Sequence, residues 1–522
     1  MKEILVLNLG RYGDLIQTTP LLRGLKRNHP HARVTLVAQK RFRAILPLMS
    51  GVDRHLLFDH DGLAQAIARE ERLLSGYRQL DKFLTHLESD HFDLIVNLTS
   101  TELSAYLVPL LGSSQVAGKT SATDGRTLVK HPWALYLYSF LLGDSRRFNR
   151  INLADIFCKM AGVEPDGHPV ELQETEAGQS FAETFMKQAG LNNQTLIGIQ
   201  LSASDPVRCW SVESFARLSD LLQETTGVRT ILLGSPGERP LAERALSLMK
   251  HEPVNAVGKT TIEELFSLVR CCVLLVSNDT GTMHFAAAGG IPTVMLTLGP
   301  ASFYCTGPLS SGNLALQAPL PCSPCRYNLS CHHPICRDLI TVESVGSTCR
   351  YLLGDTSALN HESNGVRISR SEFGPDGYLE WRSLCNEDPT HEDLTQQHAH
   401  LWKTFLDGDI DGSGQHRPFF PELAHLTAQG SKLTAKIMAE ASRTPIHIET
   451  INNLGAQEAL VESSIRCLAG TTPSLSPLVD FMTIMRDNIT ATDLITVATE
   501  THQIYGKALD WHNSEGHRVT PS

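Results

Sequence analysis

Aromatic residues are only 6% of the 522-residue chain, charged residues are 19%, and acidic side chains outnumber basic ones to a formal net charge of −11. That balance excludes a general nucleic-acid binder, which needs a basic surface, and leaves at most a local basic patch to face a membrane. Long apolar runs are missing too. The most apolar windows, residues 133–142 and 285–298, are too short or too interrupted by Gly and Pro to span a bilayer. No leader segment is visible, since Met1-Lys2-Glu3 runs straight into a strand pattern over 4–9, and a soluble cytoplasmic protein is expected. The 12 Cys are scattered apart from one cluster, which suits reduced thiols better than a disulfide framework. With 42% hydrophobic residues, the chain has enough apolar surface for two or three cores.

The organising stretch is 274–300. An apolar run stops at Ser277-Asn278-Asp279-Thr280-Gly281, an alanine-rich helical segment follows, and Gly289-Gly290-Ile291-Pro292 leads into a second apolar run. That is a strand, turn, helix and strand in the length of a βαβ unit. Asp279 or Thr280 is suited to cap the helix, and the N–H groups of Thr280, Gly281, Thr282 and Met283 then leave its first turn at the positive end of the dipole. Such an end either binds a phosphate or diphosphate or is an ordinary capped helix.

Residues 1–175 alternate strand and helix patterns: a strand over 4–9, a turn at Gly10–Asp14, a helix over 15–28 containing Pro20, and strands over 33–38 and 94–98. Parallel α/β is the expected class. Gly10-x-x-Gly13 lacks the G-x-G-x-x-G spacing of a dinucleotide fold, so hydride transfer is poorly supported. The turn instead offers a carboxylate, Asp14, at the strand edge where open parallel sheets bind ligands. A second α/β half starts near Asn193, with strands over 196–201, 230–233 and 254–257 and helices over 210–225 and 262–271. Two such halves predict Rossmann-like domains around a cleft.

Four blocks together, Leu9-Gly10-Arg11-Tyr12-Gly13-Asp14 through Pro20, Arg208-Cys209-Trp210-Ser211-Val212-Glu213-Ser214-Phe215-Ala216, Leu233-Gly234-Ser235-Pro236-Gly237-Glu238, and Asn278-Asp279-Thr280-Gly281-Thr282-Met283-His284, resemble glycosyltransferase family 9, the bacterial heptosyltransferases, over roughly 1–350. The resemblance implies a GT-B fold: an N-terminal Rossmann-like acceptor-binding domain over 1–175 and a C-terminal nucleotide-sugar-binding domain over 176–356. It implies inverting transfer of heptose from ADP-heptose to a lipopolysaccharide-core-type acceptor, with no metal or other cofactor required. Asp14 matches the general base, although an N-cap is the commoner use of such an Asp. Asp279, Thr280, Gly281 and Thr282 match the diphosphate turn, and His284 follows as a ligand contact or a packing residue. Arg208 stands where the family usually has a lysine, and its planar fork is not equivalent to an ammonium. Ser202 and Ser204 match phosphate-binding hydroxyls or a polar loop, and Glu238 matches a carboxylate that accepts ribose hydroxyls or a first-turn helix acid.

The remaining features are less committed. Asp59-His60-Asp61 and Asp407-Gly408-Asp409 resemble a cation-binding Asp-x-Asp but are expected away from strand ends, and the EF-hand-like run from Asp407 fails at Pro418, where a Glu is needed. Cys322, Cys325, Cys331 and Cys336 have spacings open to zinc, an iron–sulfur cluster or a loop of free thiols, the last being the default. Arg146, Arg147 and Arg150 make the region beside 133–142 basic, suited to a lipid-linked phosphorylated acceptor at the inner face of the inner membrane or to plain solvated charge. Residues 357–380 read as a linker and 381–522 as a helical extension of unknown role, open to a protein partner. A family member using another nucleotide sugar, or a catalytically silent binding or assembly protein on the same fold, is the alternative.

Overall fold

The first apolar run forms β1, Glu3–Asn8, with Ile4 to Leu7 wholly shielded, as a strand covered on both faces requires. It pairs in parallel with β2 (Arg33–Gln39) on one side and β4 (Phe92–Asn97) on the other, and β3 (Arg54–Phe58) continues beyond β2. β5 (Ser113–Ser121) follows β4 in the sheet, and β6 (Thr127–Lys130) runs antiparallel to β5. The second sheet holds β7 (Leu196–Gln200), β8 (Arg229–Leu233), β9 (Val254–Asn255), β10 (Leu274–Asn278), β11 (Thr293–Thr297), β12 (Leu314–Gln317), β13 (Arg367–Phe373) and β14 (Leu379–Cys385). Its order is β14-β13-β12-β11-β10-β7-β8-β9, parallel from β12 to β9, with β13 and β14 antiparallel at the far edge. In the first sheet the chain reverses direction of growth between β1 and β4, and in the second between β7 and β10. These are the switch points where open α/β sheets bind ligands.

In this computed structural model the chain divides into two units, Met1–Ala117 with Ile151–Asp388, and Gly118–Arg150 with Pro389–Ser522, the first division falling within β5. The structure describes residues 2–68, 73–87, 91–141, 144–191, 194–326, 331–359, 365–385, 399–400, 402–407, 421–443, 447–472, 475–491 and 493–513. The first unit carries β1 to β4, the start of β5 and the whole second sheet, with separate cores around Leu7, Phe92 and Ile95 and around Ile199, Phe215, Val276 and Leu296.

The second unit is mainly helical, as expected of the C-terminal region, but it also takes in residues 118–150, with the end of β5 and β6, which were expected in the N-terminal half. The Asn488 side chain accepts from Val129 N–H and donates to the Val129 carbonyl, both at 2.7 Å, and Trp133 Nε1 donates to Asp407 Oδ1 at 2.9 Å. Trp402, 1% exposed, packs its ring against Tyr136, Phe140, Phe405 and Phe481. A second tie joins the helices Ile448–Thr471, Ser476–Asp487 and Leu494–Asn513: Arg486 holds Glu458 through two nitrogens at 2.8 and 2.9 Å, and Tyr505 donates to the same carboxylate at 2.8 Å.

Four further expectations are corrected. The helix expected over 15–28 is two, Tyr12–Ile16 and Thr19–Asn28, because Pro20 cannot sit in a helix interior and occupies the first turn of the second. Part of 357–380, read as a linker, is β13 and the start of β14, and β14 extends into the region read as helical. Asp59 directly follows β3, contrary to its expected place away from strand ends; it caps the His60–Ile67 helix by accepting from Gly62 N–H at 3.0 Å and pairs with Lys40 at 2.8 Å. Most of the EF-hand-like run, 408–418, and the end of the helical extension, 514–522, lie outside the described residues. Among the described residues no helix is long and apolar enough to cross a membrane.

Candidate active site

Every segment singled out in the α/β part follows the C-terminal end of a parallel strand. The Gly10–Asp14 turn follows β1, Ser202 to Arg208 follows β7, Ser235 to Glu238 follows β8, and Asp279 to Thr282 follows β10.

Asp14 sits in the first turn of the Tyr12–Ile16 helix, where its Oδ2 accepts from the N-cap residue's own N–H, Arg11, at 2.7 Å. It thus takes the third helical position of a capping arrangement rather than the N-cap itself. The turn is crowded: a Cβ on Gly10 would stand 2.6 Å from both Asp14 Cβ and Oδ2 and 2.8 Å from Asn8 Oδ1. Burial pushes the Asp14 carboxyl above the ordinary carboxylate value, the Arg11 N–H and guanidinium oppose the rise, Asp279 adds to it, and Arg208 offsets it. Asp14 therefore feels the field of residues from the other α/β half.

That half contributes the Gly281–Ala288 helix. Thr280 occupies its N-cap in an extended conformation but makes no side-chain cap, and Asp279 does not cap either. The Asp279 carboxylate is committed elsewhere, to Arg208 NH1 at 3.0 Å and the Thr306 hydroxyl at 3.3 Å. The helix's first N–H groups are left without a side-chain acceptor at the positive end of the dipole, with Thr280 and Gly281 partly exposed. Arg208 ends a short 3₁₀ turn, Pro206–Arg208, and donates through NH2 to Ser204 Oγ at 2.6 Å. Its guanidinium charge is paired with Asp279.

Two glycines let the halves meet here. A Cβ on Gly13 would come within 2.9 Å of His284 Cδ2, and one on Gly281 within 3.6 Å of the Gly13 nitrogen. His284 is 3% exposed, its Nδ1 has no hydrogen-bond partner, and burial brings its pKa down to about 4 against the pull of Asp279. At neutral pH the imidazole is uncharged.

Glu238 is already saturated by its own chain. Oε1 accepts from Gln200 Nε2 at 2.7 Å and from the Ser202 hydroxyl, and Oε2 accepts from Ser235 N–H and hydroxyl at 2.5 and 2.7 Å. Gln200 Oε1 in turn accepts from Thr282 Oγ1 at 2.9 Å, linking Glu238 to the first turn of the Gly281–Ala288 helix. Sequence reasoning did not single out Gln200, Asn8, Thr18, Asn278 or Thr306. A usable signal existed for three of them: Asn8, Gln200 and Asn278 are each the last residue of a buried parallel strand that is otherwise largely apolar. Asn278 binds Trp210 N–H at 2.9 Å and the Leu201 carbonyl at 3.1 Å, fixing the loop that carries Arg208.

The three arginines expected on an acceptor face fall in the second unit. Arg146 is 3% exposed, contrary to a solvent-facing patch, Arg150 NH1 donates to the Arg147 and Asn149 carbonyls, and Arg147 lies 4.9 Å from the Phe148 ring centre. Cys322, Cys325, Cys331 and Cys336 are free thiols. Burial, then the neighbouring Cys322, Cys336 and Cys331, pushes Cys325 up to about 11. Among the described residues no group of three or more His, Cys, Asp or Glu side chains is arranged to hold a metal ion.

Comparison with known proteins agrees with the blocks read from the sequence. Residues 81–335 match the model of glycosyltransferase family 9 (heptosyltransferase), a stretch that begins after the Asp14 turn. The chain is 26% identical over 328 residues to lipooligosaccharide heptosyltransferase 2 of Haemophilus ducreyi, covering 59% of this chain and 86% of that protein. It is 25% identical over 293 residues to lipopolysaccharide heptosyltransferase 3 of Escherichia coli, covering 55% and 80%. Among solved structures, an E. coli ADP-heptose lipopolysaccharide heptosyltransferase II aligns at 20% identity over 68% of this chain and 98% of that one, with a TM-score of 0.49. Over residues 81–335 the chain is thus similar to glycosyltransferase family 9, the heptosyltransferase family.

Proposed function

We propose that the chain moves heptose from ADP-heptose to an acceptor hydroxyl of the lipopolysaccharide-core type, with inversion, without a metal, and with Asp14 as general base. The observation that carries the reading is the meeting of the Asp14 turn, the uncapped Gly281–Ala288 helix end and the Arg208–Asp279 pair where the two α/β halves touch. In this reading the diphosphate lies on the first N–H groups of that helix, and Arg208 turns from Asp279 to the phosphate oxygens as charge develops there. Asp14 takes the proton of the acceptor hydroxyl while its oxygen attacks the anomeric carbon from the face opposite the diphosphate. The carbon–oxygen bond to phosphate breaks as the new bond forms, and ADP leaves with the electron pair. A raised pKa makes the ionised Asp14 a stronger base. The charge of the leaving group is met by N–H donors and a guanidinium, which supports transfer without a cation. The relatives' names support heptose and a lipopolysaccharide acceptor. A lipid-linked acceptor of that kind would bring the protein to the inner face of the inner membrane.

The test is ADP release from ADP-heptose with and without truncated lipopolysaccharide, in EDTA, beside ADP-glucose and UDP-sugars. Acceptor-dependent release from ADP-heptose that survives EDTA, with inverted configuration in the product, is expected. Release from a different nucleotide sugar alone would replace heptose, and loss of activity in EDTA would end the metal-free mechanism.

A further inference from the structure

β1 ends in a residue that a buried strand has no packing use for. Asn8 is 1% exposed, and burying an amide is costly unless its polar atoms are matched. They are matched within the turn that carries Asp14. Oδ1 accepts from Gly10 N–H at 2.9 Å, and Nδ2 donates to the Asp14 carbonyl at 3.1 Å and to Thr18 Oγ1 at 2.8 Å. Thr18, fully buried, donates its own hydroxyl proton to the same carbonyl at 2.9 Å. The Tyr12–Ile16 helix has five residues, too few to hold its geometry alone. It breaks off before Thr18, whose backbone N–H turns to the Leu15 carbonyl, so two side chains supply the Asp14 carbonyl with hydrogen bonds.

We infer that Asn8, with Thr18, is a positioning residue for Asp14, tying the Gly10 end of the turn to the Asp14 carbonyl and so fixing the direction of the carboxylate. The inference rests on the reading of Asp14 as base. Neither side chain is a hydrogen-bond partner of that carboxylate in this structure, yet Asn8 Oδ1 and Asp14 Oδ2 both lie within 2.8 Å of the place a Gly10 Cβ would occupy, hence less than about 6 Å apart. A charge placed at Asn8 would therefore reach Asp14.

The experiment uses the full chain with Asn8→Ala, Asn8→Asp, Thr18→Val, Thr18→Ser and Asp14→Asn, reading kcat and KM for ADP-heptose, ADP affinity by calorimetry, and the pH profile. Asn8→Ala and Thr18→Val are expected to lower kcat on the order of tenfold or more, as a loosened base does, with KM and ADP affinity within about threefold of wild type. Thr18→Ser, which keeps the hydroxyl, should restore most of the rate. In Asn8→Asp the like charge should hold Asp14 protonated to higher pH, moving the acid limb of kcat up by about one unit. Wild-type kcat in Asn8→Ala, alongside an inactive Asp14→Asn, overturns the positioning role and leaves the base assignment standing. Loss of ADP affinity in step with kcat also overturns it, because that reports collapse of the site rather than a misdirected base. If Asn8→Ala does not fold, position 18 decides, and equal kcat for Val and Ser there overturns the inference. Normal turnover by Asp14→Asn removes the base reading itself.

Discussion

An alanine at position 10 would test how tightly the Asp14 turn is built. Gly10 is not among the glycines with positive φ, so alanine meets no backbone penalty, and the stiffer unfolded chain favours folding by about 0.4–1 kcal/mol. The cost is steric. The new methyl would lie 2.6 Å from Asp14 Cβ and Oδ2 and 2.8 Å from Asn8 Oδ1, where carbon contacts settle at about 3.5–4.0 Å. Rotating the Asp14 side chain moves Oδ2 but not Cβ, so the Tyr12–Ile16 helix itself must shift by close to 1 Å, by that difference. The Arg11 N–H bond at 2.7 Å is then stretched or lost, which costs about 1.5–3 kcal/mol for a charged acceptor. Set against the gain in the unfolded chain, the net destabilisation comes to about 1–2 kcal/mol. The effect on rate should be larger, since a base misplaced by about 1 Å loses on the order of 10²-fold. Steady-state ADP release, thermal unfolding and ADP calorimetry on Gly10→Ala separate these effects. A kcat within threefold of wild type would refute the reasoning.

Other substitutions probe the donor side and the second unit. Arg208→Ala strips the cation from Asp279, which is 6% exposed, and should cost about 3 kcal/mol in denaturant unfolding, the low end for a broken buried pair, while weakening ADP binding tenfold or more; Arg208→Lys should fall between, lacking the planar fork. Asp14 has a raised pKa in the folded state, so its contribution to stability is present below the unfolded value of 3.8 and lost as pH rises through the folded one. Asp14→Asn should therefore raise Tm at pH 7 while stopping turnover, and a lowered Tm there would reverse the sign. His284 runs the other way: its folded value of about 4 lies below the model-compound 6.5, so its contribution is full above 6.5 and is lost between 6.5 and 4. A His284→Gln protein should lose less stability across that window, as pH-dependent melting would show. Trp402→Ala empties the aromatic cluster of the second unit and should cost about 3–5 kcal/mol in equilibrium unfolding, with ADP affinity unchanged.

The parallel α/β halves were readable because each buried strand is a short apolar run closed by a turn, and because consecutive residues carry that signal. Asp14 and the Asp279–Thr282 turn were readable for the same reason: they sit in sequence directly after strands. What escaped depends on contacts between distant residues. Nothing local in 133–142 says that Trp133 bonds Asp407 or that Tyr136 packs on Trp402. β13 and β14 escaped because they form an edge hairpin, half-buried and rich in charge, which lacks the apolar run of a central strand. The hidden order lay at the strand ends. β1, β4, β7 and β10 close in Asn8, Asn97, Gln200 and Asn278, all buried, and each spends hydrogen bonds on the loop or helix that follows or faces it. These four strands flank the two switch points, so a polar amide ending an apolar run marks the functional edge.

The base assignment is tested most directly by single-turnover ADP formation from ADP-heptose and truncated lipopolysaccharide, comparing wild type with Asp14→Asn at equal, calorimetrically measured occupancy by donor. The account predicts that the variant binds ADP within about threefold of wild type and forms product at least on the order of 10²-fold more slowly. Product formation by Asp14→Asn within tenfold of wild type would contradict it.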